Sequence, residues 1–287
     1  MLTLSKAASE VFVPDGIASA SALSRTTHLG IGAHPDDLEI MAIHGVLECV
    51  TSDARWFTGV VATDGAGGPA LLARSSVSAE AVRTTRRAEQ KRAAELGCYG
   101  ALVLLDHTSA EAKDAANAAL VGDLREVLRA TSPKVVYTHS LADAHDTHVA
   151  VALAVVAACR SLAASERPER VLGCEVWRDL DWLPEGAKIA LPLSGNEELE
   201  RALIRVFESQ LGAGKRFDVG ALGRRRANAT FNEIRDADAH EAIVWAMDLT
   251  PAARGELEPE ELVEHLTRAF EADVLERIRR HAREPIP

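Results

Sequence analysis

The chain has 287 residues, of which 47% are hydrophobic, and its 32 basic against 43 acidic side chains give a net charge of −11. That length carries one large or two modest domains of ordinary globular composition. The acidic balance without a basic run excludes a general polyanion or nucleic-acid binder, and no stretch approaches membrane-spanning length. Met1 to Arg25 lacks a charged segment followed by a long apolar core, so no signal peptide is expected and the cytoplasm is the expected location. Cys49, Cys98, Cys159 and Cys174 are scattered among apolar neighbours without a C-x-x-C pair, which predicts buried, reduced thiols.

In chain order, Leu2 to Ser24 is small and polar around Val11-Phe12-Val13 and reads as an edge strand or a strap over the core. From Thr27 to about Trp177 apolar β-type runs alternate with helical ones. Strands are predicted near 28–33, 56–62, 101–105, 134–138 and 171–177, and helices near 38–50, 80–97, 111–130 and 148–163. This alternation predicts a Rossmann-like, three-layer α/β sheet of mostly parallel strands. Beyond it, Glu197 to Gln210 has the apolar spacing of an amphipathic helix, and Thr250-Pro251 and Glu258-Pro259 are helix starts. The last helix aligns Leu262, Leu266, Phe270, Val274 and Ile278, a stripe that either packs on the core or forms a homo-oligomer interface. The expected organisation is a catalytic core over 1–180 completed by a helical C-terminal extension over 181–287. Arg224, Arg225 and Arg226 invite an anion site but, in an acidic protein, read better as a salt-bridge cluster.

The chemistry gathers at Ala33-His34-Pro35-Asp36-Asp37-Leu38-Glu39, directly after the first parallel strand. Pro35 ends the strand, and open α/β sheets hold ligands at such carboxyl ends. His34 and Asp37, three apart, can aim at one spot, leaving Asp36 as a spare carboxylate beside it. Two readings are open here: two ligands of a catalytic metal ion with an attendant base, or an acidic helix cap with an incidental histidine. A second turn decides between them. After Val135-Val136-Tyr137, the segment Asp143-Ala144-His145-Asp146-Thr147-His148 again places histidines three apart at a helix start. Two such turns on one sheet edge point to a metal site. His139 lacks a partner at that spacing and ranks behind His148, and His107 reads as a loop histidine.

The uninterrupted AHPDD of Ala33–Asp37, followed by D-x-H-x-x-H at Asp143–His148, resembles the LmbE/PIG-L-type zinc-dependent N-deacetylases. The resemblance implies removal of an acetyl group from an N-acetylglucosamine-type or related small molecule, with Zn2+, or Fe2+ or another divalent ion, as cofactor. By the same resemblance His34, Asp37 and His148 hold the metal. Asp36 is then the general base, and His145 is the acid or the partner of the oxyanion. Asp146 and Thr147 stand where the family commonly has Pro and Asp, so the carboxylate supporting these histidines falls to Asp146 or Asp143. The family's R-x-x-E maps onto Arg86 and Glu89, with Arg87 as an adjacent alternative. Asp106, at the end of the third strand, and Asp64, in the Gly-rich loop Thr63–Pro69, are the other substrate candidates. For Arg86 and Asp106 a structural salt bridge is the competing reading. Trp177 or Trp182 is a candidate sugar platform, with core packing as the commoner role. Rival functions are a metal-dependent hydrolase of another amide or ester, and a non-catalytic sugar- or nucleotide-binding protein of the same fold. A nicotinamide enzyme is disfavoured because no dinucleotide fingerprint follows the first strand.

Overall fold

The computed structural model describes residues 2–66, 77–193, 195–212, 214, 216–232 and 237–282. In chain order the elements are β1 (Glu10–Phe12), α1 (Ser19–Ser24), β2 (His28–Gly32), α2 (Asp37–Met41), α3 (Ile43–Val50), β3 (Phe57–Thr63) and α4 (Ala79–Leu96). Then follow β4 (Ala101–His107), α5 (Ser109–Lys113), α6 (Ala118–Thr131), β5 (Val135–His139) and α7 (Asp146–Arg160). The remainder comprises β6 (Arg170–Cys174), β7 (Ile189–Leu193), α8 (Glu197–Arg205), α9 (Glu208–Leu211), α10 (Phe217–Phe231), β8 (Ala242–Asp248), α11 (Thr250–Arg254) and α12 (Pro259–His281).

One eight-stranded sheet runs in the order β1-β4-β3-β2-β5-β6-β8-β7. The five strands from β4 to β6 are mutually parallel. On the flanks β1 joins β4 antiparallel, and β8 joins both β6 and β7 antiparallel. The sheet is therefore mixed, which corrects the expectation of a mostly parallel one. The 181–287 region is likewise more than a helical extension, because β7 and β8 extend the same sheet. Both were missed from the sequence. Ala242–Asp248 alternates too little to announce a strand, since it is covered on both faces.

The alternation of side chains across the sheet builds two cores. Leu29, Ile31, Val60, Val103 and Val136 point to one, against α6 and α7; Val61, Leu102, Leu104, Tyr137 and Leu172 point to the other, against α2, α3 and α4. Two predicted helices are broken. The 38–50 helix divides at Ala42 (φ −101°, ψ 11°), and the 111–130 helix is interrupted between Lys113 and Ala118. The predicted 171–177 strand stops at Cys174. There the Glu175 carboxylate turns inward to accept the Trp245 and Leu180 backbone N–H groups. Of the four thiols, Cys98 is exposed, against expectation.

Candidate metal centre

β2 and β5 are adjacent and parallel, and the strand order runs in opposite directions on either side of them. That boundary is the point in an open α/β sheet where the connections part and leave a crevice. Both histidine turns leave the sheet there, His34–Asp37 from β2 and Asp143–His148 after β5.

His34 Nδ1 lies 3.2 Å from His148 Nε2, Asp37 Oδ2 is 3.3 Å from His34 Nδ1, and Asp37 Oδ1 is 3.4 Å from His148 Nε2. A tetrahedral ion with bonds of about 2.05 Å holds its ligand atoms roughly 3.3 Å apart, and His34, Asp37 and His148 approach one another at that spacing, Asp37 meeting one histidine with each of its oxygens. Two imidazole nitrogens turned to each other beside a carboxylate need a proton or a cation between them. A second trio, His139, Asp143 and His148, is also close enough for an ion. However, His139 Nε2 accepts the Ala33 N–H at 2.8 Å, and Asp143 accepts the backbone N–H groups of His145 (2.9 Å) and Trp177 (3.1 Å). The first trio faces the open cavity of about 350 Å³, which Asp36, Arg86, His145 and Thr147 also line.

The acidic-cap alternative is met at Asp37, which satisfies a backbone donor of this turn, and not at Asp36. Asp36 precedes α2 but makes no side-chain bond to the helix, and Asp37 Oδ2 accepts the His34 N–H at 2.6 Å instead. Asp36 has φ 92°, in the left-handed region that costs a non-glycine residue of order 1–3 kcal/mol. Two glutamines hold this turn: Gln90 Oε1 accepts the Asp36 N–H at 3.2 Å, and Gln210 Nε2 donates to the Pro35 carbonyl at 2.7 Å. Neither glutamine was identified from the sequence, since each arrives from a distant helix.

Burial, reinforced by repulsion from Asp37, raises the Asp36 carboxyl well above the usual range, with Arg86 pulling the other way. For Asp37 burial acts upward too, but the His148 and His139 imidazoles and its hydrogen bonds win and hold it well below that range. His148 is raised, because Asp37 and Asp143 outweigh burial. The negative charge that favours a proton there favours a metal cation equally. His139 is lowered to about 4 by burial and the neighbouring His148, so it is a neutral wedge stacked on His148 at 3.8 Å. His145 is lowered by burial and by the adjacent His148 and His34, and its ring stacks 4.6 Å from His148.

Asp143, rather than the exposed Asp146, is the carboxylate beside His148, with Oδ2 3.5 Å from Nδ1. Arg86 is buried on the cavity wall, where its guanidinium donates to the Gly65 carbonyl. Its helical partner Glu89 instead takes the Ser209 N–H and hydroxyl, at 2.7 and 2.6 Å. Asp106 and Asp64 do not line this cavity. Asp106 pairs with Arg87 (3.0 Å) and Arg83 (3.6 Å), and Asp64 pairs with Arg83 at 3.2 Å. Gly67, Gly68 and Pro69 of the Gly-rich loop lie outside the described residues. His107 is not a loop residue: it ends β4, fully buried, with Nε2 2.8 Å from Asp123 Oδ2. Trp177 lines the cavity, whereas Trp182 packs against the core and Phe270. Arg225 pairs with Glu200 and Arg226 with Glu197, as the salt-bridge reading expects.

No curated protein sequence matches this chain significantly. Among solved structures, N,N'-diacetylchitobiose deacetylase from Pyrococcus horikoshii superimposes with a TM-score of 0.57 at 17% identity, covering 77% of this chain and 84% of that one. The A40926 pseudoaglycone deacetylase Dbv21 gives 0.57 at 18% identity, covering 78% of this chain and 97% of that one. GalB, the 4-carboxy-2-hydroxymuconate hydratase from Pseudomonas putida, gives 0.56 at 17% identity, covering 79% of this chain and 97% of that one. At such identities the likeness is one of fold. The sequence itself carries more: residues 29–159, which span both histidine turns, match the profile of the family described as PIG-L: GlcNAc-PI de-N-acetylase. Residues 29–159 thus match the PIG-L family, to which the AHPDD motif points.

Proposed function

We propose that this protein is a divalent-metal-dependent deacetylase of an N-acetylated amino sugar or a close relative. The observation that carries the reading is the approach of His34 Nδ1, His148 Nε2 and the two Asp37 carboxylate oxygens to within 3.2–3.4 Å from residue to residue, with the Asp36 carboxylate, which takes a hydrogen bond from Gln210, in the same cavity. A zinc ion, or another divalent metal, held by those three residues would polarise the acetamido carbonyl and bring the pKa of a water toward about 7. Asp36 is the residue placed to take the proton of that water and to pass it to the departing amine. His145 would offer an N–H to the carbonyl oxygen as charge builds on it, and Asp143 would fix the direction of His148. Arg86 is the cavity's donor for sugar hydroxyls. Asp64 and Asp106 would act at one remove, by holding Arg83 and Arg87 on the same helix. The deacetylases among the structural neighbours and the family of residues 29–159 support this choice of reaction.

The hydratase among the neighbours favours one second reading, the same metal-directed water chemistry turned on a different substrate. The test is elemental analysis of freshly purified protein together with acetate release from a panel of N-acetylated sugars, sugar conjugates and acyl amino compounds. About one divalent ion per chain and acetate from an amino sugar are expected, with His148→Ala losing both. A parent protein without tightly bound metal, or a metal-loaded one silent on every acetamido sugar, would overturn the proposal.

A further inference from the structure

Beside the metal triangle lies a second cavity, of about 220 Å³. Ile40, Val176, Trp177 and Phe217 line both spaces, so the two share a wall. The Trp177 indole faces the His145 ring at 6.4 Å on one side and meets the Phe217 ring edge-on at 5.8 Å on the other. Its backbone N–H is held by Asp143, the same carboxylate that lies against His148. The position of this aromatic wall is therefore tied to the histidine turn.

The remaining wall is largely apolar, and of its charged groups Glu175, Arg225 and Arg216 are engaged by partners of their own while Arg224 gives one N–H to a backbone carbonyl. Glu175 accepts from Asn228 and from the Trp245 and Leu180 backbone. Arg225 is used by Glu200 and by the Glu39 and Ile40 carbonyls, Arg216 by Asp218, and Arg224 donates to the Val176 carbonyl. Most of the polar groups are thus engaged, whereas an apolar ligand would meet Trp177, Phe217, Val176, Ala221 and Val244. For scale, an engineered apolar cavity of about 150 Å³ takes up benzene.

We infer that this cavity is a substrate subsite for an apolar substituent, an aryl or short alkyl group carried by the amino sugar whose acetamido group lies at the metal triangle. The inference rests on the deacetylase reading for the sugar end only. The walls of the subsite, Trp177 and Phe217 above all, then determine specificity, rewarding substrates whose aglycone fills it.

Gly220 of α10 gives a direct test, since it lines the cavity and a Cβ added there meets nothing within 4 Å. The phenyl and methyl β-glycosides of N-acetylglucosamine would be titrated calorimetrically into the parent protein and into Gly220→Trp. Ala221→Phe serves as a second filling variant, and thermal unfolding checks that each variant is folded. The parent is expected to bind the phenyl glycoside at least tenfold more tightly than the methyl one, and the ratio to fall below threefold in a folded filling variant. Equal or undetectable binding of the phenyl glycoside by the parent, or an undiminished ratio in both folded variants, overturns the subsite. Acetate release from the same two glycosides separates the two proposals. Phenyl preference in a metal-loaded protein that releases acetate from neither glycoside nor from any acetamido sugar of the panel sinks the deacetylase and leaves the subsite, whereas acetate from both at equal KM does the opposite.

Discussion

At the scale of single residues, Asp36 makes no cap bond and no ion pair within the described residues, yet it is held in a left-handed backbone conformation facing the candidate site. Such a position serves proton transfer better than folding. Asp36→Asn is accordingly expected to keep the metal by elemental analysis and to lose 10²–10⁴-fold in turnover, the usual worth of a general base. His145→Ala should also retain metal and lose about 10²-fold or more, as removal of a single oxyanion donor does. Undiminished turnover in either variant would strip that residue of its role. Glu39 makes a different prediction. Its carboxyl is raised to about 7 by burial, although Tyr99 Oη and Gln90 Nε2 donate to it at 2.7 and 2.8 Å. Because the folded value lies above the unfolded one, the associated stability is complete below about pH 4.5 and is lost as pH rises through about 7. Glu39→Gln keeps both acceptor bonds and has nothing to ionise. Urea melts at pH 5 and pH 8 should show the variant gaining on the parent by ~2 kcal/mol between those values, and parallel pH profiles would disprove the assignment.

Elements show where local pattern met its limits. Helix α3 lies so close on the sheet that a Cβ at Gly45 would stand 2.6 Å from the Tyr137 ring of β5. Tyr137 is buried, with its hydroxyl 3.0 Å from His44 Nδ1, and has nowhere to retreat. Gly45→Val should therefore destabilise by about 1–3 kcal/mol by overpacking, measured as a lowered urea midpoint. The five parallel strands were readable because each is a short apolar run bounded by turn residues. The split of the 38–50 helix at Ala42 was not, since apolar spacing continues through the break and only packing on the sheet bends the chain there. His107 was misread for a related reason. Its partner Asp123 lies on α6, sixteen residues on, so no local spacing announces the pair.

At the level of the whole molecule, the C-terminal third reaches back to the candidate site. Buried Arg225 of α10 pairs with buried Glu200 of α8 at 2.8 Å and donates to the Glu39 and Ile40 carbonyls of α2, which follows the AHPDD turn. Arg225→Ala leaves a carboxylate and two carbonyls unanswered, and about 3–5 kcal/mol should be lost in denaturant melts. The double change with Glu200→Ala should recover part of that loss, since it removes the stranded charge. An Arg225→Ala protein as stable as the parent would show that the tie is ornamental.

By itself the sequence determined the parallel core, the two turns that carry histidine and carboxylate, and the family of residues 29–159, because strand ends, prolines and three-residue spacings are local properties. Only the tertiary structure decided that Asp143 rather than Asp146 lies against His148, that Asp64 and Asp106 answer Arg83 and Arg87 away from the cavity, and that the C-terminal third adds two antiparallel strands and a largely apolar chamber beside His34, Asp37 and His148. Those outcomes depend on which distant segments the closing of the sheet brings together, and spacing along a chain carries no measure of that.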